Sequence, residues 1–246
     1  MSRLQPRQVR DVGTLFRDSF AIYRSHPWLF ILLSAVVIVP VGLVVDGIGM
    51  GSLAGEYDSS PDTEDALVRG VVQFFVEFLV VIPIVTAICI YALDPIAAGE
   101  RPSAGRVLVA GFEAFTPLFG AVLLAGIGVA LGLAALIVPG VFLLVRWFFV
   151  PQAVVVDGAR GPAALSRSGD LVEGFWWRTL GLVLLVNIAV AIPGILLLAP
   201  FNSIAGETDD AVWSLAGSML ATSVTTPFVA LFSTLLYYDL RARKAI

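Results

Sequence analysis

Six stretches of the chain are almost free of charged residues: 28–45, 71–93, 117–138, 141–156, 177–200 and 211–237. About 20 apolar residues in a helix cover the roughly 30 Å of a hydrocarbon layer, so each stretch predicts a membrane span. The fourth stretch is the shortest. Val138-Pro139-Gly140 separates it from the third and predicts the tight turn of a helical hairpin, because a Pro-Gly pair inside one long helix would break its hydrogen-bond ladder and loosen its backbone.

The polar residues between these stretches are sorted by charge. Arg3, Arg7, Arg10, Arg17 and Arg24 precede the first span, Arg101 and Arg106 lie between the second and third, Arg160, Arg167 and Arg178 between the fourth and fifth, and Arg241, Arg243 and Lys244 follow the sixth. Thirteen of the fifteen basic residues thus share one face, which the positive-inside rule makes cytoplasmic, with both termini inside. An odd number of spans would put the two basic ends on opposite sides. The outward connections are acidic: 46–70 carries Asp46, Glu56, Asp58, Asp62, Glu64 and Asp65, and 201–210 carries Glu207, Asp209 and Asp210. They read as solvated surface; the Asp58–Asp65 run lacks the ligand spacing and central glycine of an EF-hand.

Three inner-face segments, 9–24, 103–115 and 162–177, carry apolar residues at three- and four-residue steps and lead directly into an outbound span. In the first these are Val9, Val12, Phe16, Phe20 and Tyr23; in the second Leu108, Phe112 and Phe115; the third opens with Pro162, favoured in a first helical turn. The predicted fold is therefore all-α, a polytopic transmembrane bundle of six spans arranged as three hairpins, each preceded by a cytoplasmic amphipathic interfacial helix, in one membrane domain over residues 1–246. The second and third units share the wording Val109-Ala-Gly-Phe112 and Val172-Glu-Gly-Phe175, which leaves open both a true internal repeat and common constraints at a membrane boundary.

Composition agrees with the pattern. Of 246 residues 58% are hydrophobic and 14% charged, against about 45–50% and about 25% in soluble domains, and mean hydropathy is +0.93. This excludes an ordinary soluble globule, a disordered chain and a disulfide scaffold. A net charge of −4 argues against nucleic acid as a partner. One cysteine, Cys89, and one histidine, His26, exclude a disulfide and a Cys/His metal cluster. The 27 residues before the first span are too charged for a cleavable leader, so that span is expected to be an uncleaved anchor. Fourteen arginines to one lysine, with abundant Ala, Gly and Val, suggest a GC-rich prokaryotic genome and hence the cytoplasmic membrane.

Polar groups within apolar spans are costly, and each is a functional hypothesis with a partner to be named. Glu77 and Arg146 stand six residues inside the outer ends of spans two and four, about 9 Å deep at 1.5 Å per residue, and this equal depth predicts an ion pair. The alternative is that Arg146 extends to outer headgroups while Glu77 is protonated. Gln73, Gln152 and Asn187 are candidates for polar packing or for a solute pathway, as are the Thr222, Ser223, Thr225 and Thr226 hydroxyls before Pro227. Pro40, Pro83, Pro151, Pro193 and Pro227 interrupt the spans; broken helices expose carbonyls in transporters but also occur in inert bundles. Gly128 and Gly132 form a small-xxx-small step suited to close helix packing. Arg167 and Arg178 suit contact with anionic headgroups.

Catalytic signatures are missing. His26, before span one, cannot serve an intramembrane serine protease, one histidine cannot make an H-E-x-x-H site, and Gly51-Ser-Leu-Ala-Gly55 lacks the strand–turn–helix setting of a nucleophile elbow. No phosphate-binding loop, dinucleotide fingerprint or haem motif occurs, and no cofactor or metal is implied.

The run Ile137-Val-Pro-Gly-Val-Phe-Leu-Leu-Val-Arg-Trp-Phe-Phe-Val-Pro151 continues through Val154-Val-Val-Asp157, Gly161-Pro-Ala-Ala-Leu-Ser-Arg-Ser168 and Leu171-Val-Glu-Gly174 to Leu235-Leu-Tyr-Tyr-Asp-Leu-Arg241. With the amphipathic start it resembles the membrane domain fused to some bacterial glycerophosphoryl diester phosphodiesterases, which also stands alone as a six-span membrane protein. The resemblance implies a membrane module without hydrolase activity, since the fused enzymes hydrolyse through a separate barrel domain for which this chain has neither length nor histidines. Two roles follow: a non-catalytic module that scaffolds a membrane or soluble protein partner or organises lipid, or a small-solute transporter using the polar residues of spans two, four and five.

Overall fold

A computed structural model of the chain describes residues 9–47 and 63–244. Expectations that concern Arg3, Arg7, the segment 48–62 and the side chains of residues 46, 47 and 63–69 fall outside the described residues. Everything described is helical or connects helices: α1 (Val12–Ser25), α2 (Pro27–Gly47), α3 (Thr63–Val76), a π-helical turn (Glu77–Val81), α4 (Ile82–Ala98), α5 (Ala104–Glu113), α6 (Phe115–Ala135), α7 (Ile137–Arg146), α8 (Val150–Asp157), α9 (Pro162–Val172), α10 (Trp176–Thr208) and α11 (Ala211–Lys244). Six helical stretches are long and apolar enough to cross a membrane: 27–45, 70–98, 115–135, 137–157, 176–208 and 211–244.

These pair as α2 with the α3–α4 stretch, α6 with α7–α8, and α10 with α11, and α1, α5 and α9 precede the three pairs. Each short helix buries one face: Leu15, Ser19 and Ile22 in α1, Val107 and Gly111 in α5, and Ala164, Ser168, Leu171 and Val172 in α9. The wording shared by units two and three adopts different conformations. Gly111 is helical, packed so closely on Ile88 that it has no room for a Cβ, whereas Gly174 forms a left-handed turn at φ +83°.

The centre of the bundle is α11. From Ala230 to Tyr237 it is buried around its whole circumference, as expected of a helix with other helices on every side. Phe232 packs at a tilt against Phe16 of α1 with ring centroids 4.7 Å apart, the Ser34 hydroxyl of α2 donates to the Ser223 carbonyl at 2.7 Å, and Tyr23 donates to the Val224 carbonyl at 2.9 Å. Outward-facing side chains of the other helices are large and apolar, including Leu131, Leu136, Ile137, Val138, Trp177 and Ile195. A continuous surface of this kind suits a hydrocarbon solvent, not water.

The structure corrects two boundaries. The turn between spans three and four falls at Leu136, which is extended at φ −165°, and Pro139-Gly140 belongs to the first turn of α7. A first-turn proline costs nothing, because its N–H would have no acceptor there. Gly140 instead permits close approach to Gly132 and Leu133 of α6. Span four is not one helix either, for its hydrogen bonding is interrupted over residues 147–149.

Candidate functional site

The broken stretch of span four is closed by a side chain from outside it. Pro151 has no N–H to offer the Trp147 carbonyl, and the turn before it opens. The Ser168 hydroxyl of α9 fills the gap, accepting the Phe149 N–H at 3.1 Å and donating to the Arg146 carbonyl at 2.9 Å. A donor and an acceptor that the helix loses are thereby satisfied in a place water cannot reach. Span two is irregular at a second point. Pro83 denies the Leu79 carbonyl its partner, and the chain responds with a π turn over Glu77–Val81, in which the Ile82 N–H reaches back to the Glu77 carbonyl.

Between these two irregular stretches lies a cavity of about 330 Å³, walled by span two, span four, α10 and α11. Glu77, Gln152 and Asn187, singled out from the sequence, all line it, together with Thr222, Thr225 and Ser233 of α11. The Gln152 amide donates to Ser233 Oγ at 3.0 Å, and although Gln152 is only 2% exposed its Oε1 has no hydrogen-bond partner among the described residues. Gln73 stands one helical turn before Glu77, donates to its carboxylate at 3.3 Å, and lines a smaller neighbouring pocket against α2 and α11.

The expected pair of Glu77 with Arg146 does not form among the described residues. The Arg146 guanidinium folds over Gly169 of α9, so near that a Cβ there would lie 2.9 Å from Nε. Equal depth fixes a height and not a direction; the break after Arg146 turns its side chain toward α9, while Glu77 faces the cavity.

The two arginines expected at headgroups each pair with an aspartate of the bundle. Asp157 ends α8 and gathers Arg167 at 2.6 Å, Arg241 at 2.6 Å and the Tyr237 hydroxyl at 2.7 Å. Its hydrogen bond raises the Arg167 guanidinium above its already high ordinary value. Asp239, fully buried in α11, is held by Arg178 at 3.1 Å, Arg243 at 2.9 Å and the Arg10 N–H at 2.6 Å, and both arginines also donate to the Arg10 carbonyl. Arg178 is committed to this cluster; Arg167 keeps about half of its side chain exposed. Composition cannot single out Asp157 and Asp239. The available signal is their position, each closing an apolar run at the arginine-rich end of the bundle.

Comparison with known proteins adds one match. A family model described as Domain of unknown function (DUF7847) covers residues 67–240, a range that contains the cavity-lining stretches of spans two to six and both aspartates. No curated protein and no solved structure matches the chain.

Proposed function

Because the chain belongs to this family of unknown function, we propose its role from the site alone: it takes up a small polar solute within the membrane, as a permease does, and performs no chemistry on it. One observation carries the reading. Both irregular backbone stretches, 77–81 and 147–149, border the same cavity through Glu77, Val81 and Phe148. Non-helical backbone at membrane depth is tolerated where it is buried in protein or lines a cavity, and transporters build their solute sites from such broken helices. The resemblance of the 137–151 and 235–241 motifs to the membrane domain accompanying some glycerophosphoryl diester phosphodiesterases supports a non-catalytic part. The excess of arginine over lysine supports a prokaryotic cytoplasmic membrane, and the arginine asymmetry supports the charge clusters of Asp157 and Asp239 lying inside.

Proteoliposomes carrying the full chain test this by light scattering after an inward gradient of glycerol, urea or methylammonium chloride. Re-swelling faster than that of empty liposomes for at least one solute, slowed by Gln152→Leu, is the expected result. Rates equal to empty liposomes for all three refute it.

A second reading, an organiser of lipid or of a protein partner, draws on α1. Arg17 leaves 76% of its side chain exposed beside exposed Phe20, and Trp28 follows at the start of α2. Such a face suits anionic headgroups. Retention of anionic phospholipid by the purified protein, with no solute flux, favours this reading.

A further inference from the structure

Several polar side chains of the cavity wall direct a donor along their own helices. Asn187 Nδ2 donates to the Val183 carbonyl at 2.7 Å, Thr225 Oγ1 to the Ala221 carbonyl at 2.8 Å, and Ser233 Oγ to the Ala230 carbonyl at 3.0 Å, each along its own helix. The Gln152 amide nitrogen is used on Ser233. The acceptor left without any partner is Gln152 Oε1, on a side chain only 2% exposed, and Asn187 Oδ1 and the hydroxyl lone pairs add to it. Among the described residues the one ionisable side chain on the lining is the Glu77 carboxylate, which receives one weak bond from Gln73 and has no cationic partner among the described ion pairs. Arg146, the basic residue of span four, lies over Gly169 and not on the cavity.

A cavity that offers one carboxylate and an unpartnered buried amide oxygen is matched by a ligand that brings both donors and positive charge. We infer that the solute is a small primary ammonium cation, held with its charge against Glu77 at one end of the cavity and met by Gln152 Oε1 further along it. An anion would meet the carboxylate with no cationic group on the lining, and a neutral polyol would leave the charge unanswered in a low dielectric. This rests on the solute-binding reading above and narrows it to a class.

Calorimetry on the full chain in phosphatidylcholine nanodiscs tests it, at constant ionic strength set by tetramethylammonium chloride, a cation with no N–H. Methylammonium should bind at least tenfold more tightly than glycerol. Glu77→Gln should weaken methylammonium at least tenfold, and Gln152→Leu several-fold, with unchanged helical circular dichroism. Glycerol bound as tightly as methylammonium overturns the cation assignment and leaves a solute site standing; binding of neither overturns both. Should Glu77→Gln not fold, the comparison of the two solutes on the unaltered protein decides by itself.

Discussion

Ser168 does the work of a missing helical turn, since the Phe149 N–H and the Arg146 carbonyl both depend on one hydroxyl. Ser168→Ala strands a buried donor and a buried acceptor and should cost about 1–3 kcal/mol, read as a lower unfolding midpoint in mixed micelles. Tyr23 offers a test in pH. Burial pushes its phenol from about 10 up to about 12 while its hydroxyl donates to Val224. The native state therefore favours the protonated form, and this contribution is intact below about pH 10 and lost as pH rises toward about 12. Tyr23→Phe should flatten the stability difference between pH 9 and 12 relative to the parent, and an unchanged slope would contradict it. At this scale Glu77, Gln152 and Asn187 are legible in the sequence, because a polar side chain inside an apolar run announces itself. The partner of Arg146 is not, because residue number gives depth along an axis but not azimuth around it, and azimuth here is set by a break that only α9 explains.

Among the elements, the pairing of α6 with α7 shows what sequence punctuation conveys and what it hides. Pro139-Gly140 correctly marks a reversal nearby, yet the chain turns three residues earlier, because a proline is as comfortable inside the start of a helix as in the loop before it. Gly132 and Gly140 meet backbone to backbone, with a Cβ on Gly132 only 3.0 Å from the Gly140 Cα. Gly132→Ala should therefore destabilise by about 1–3 kcal/mol through overpacking, whereas Gly120→Ala in the same helix meets nothing within 4 Å and should be neutral or stabilising by up to about 1 kcal/mol. Thermal melts of the two variants side by side check the contrast. The six long apolar helices and the three short helices that precede each pair were legible because hydropathy and arginine placement act over twenty residues and more. The π turn and the 147–149 break were not, since a proline says that a bond is lost and not how the neighbourhood replaces it.

At the scale of the whole molecule, α11 is the piece the others are built around, and Asp239 is where its C-terminal end is fastened. Removing the charge by Asp239→Asn leaves Arg178 and Arg243 facing a neutral group at a buried site. Loss of about 3–5 kcal/mol is expected, measured as reduced resistance to denaturing detergent. Arg10, just ahead of the first described helix, is bonded to Asp239 near the end of the last, so the two ends of the bundle lie together. That bond has a bearing on biosynthesis. The ribosome delivers Arg10 more than two hundred residues before Asp239, and until the last helix is in place the opening segment lacks the carboxylate that holds it. A chain stalled or truncated before α11 is complete therefore leaves α1 without its dock, a mark by which a quality-control protease can tell an unfinished copy from a finished one.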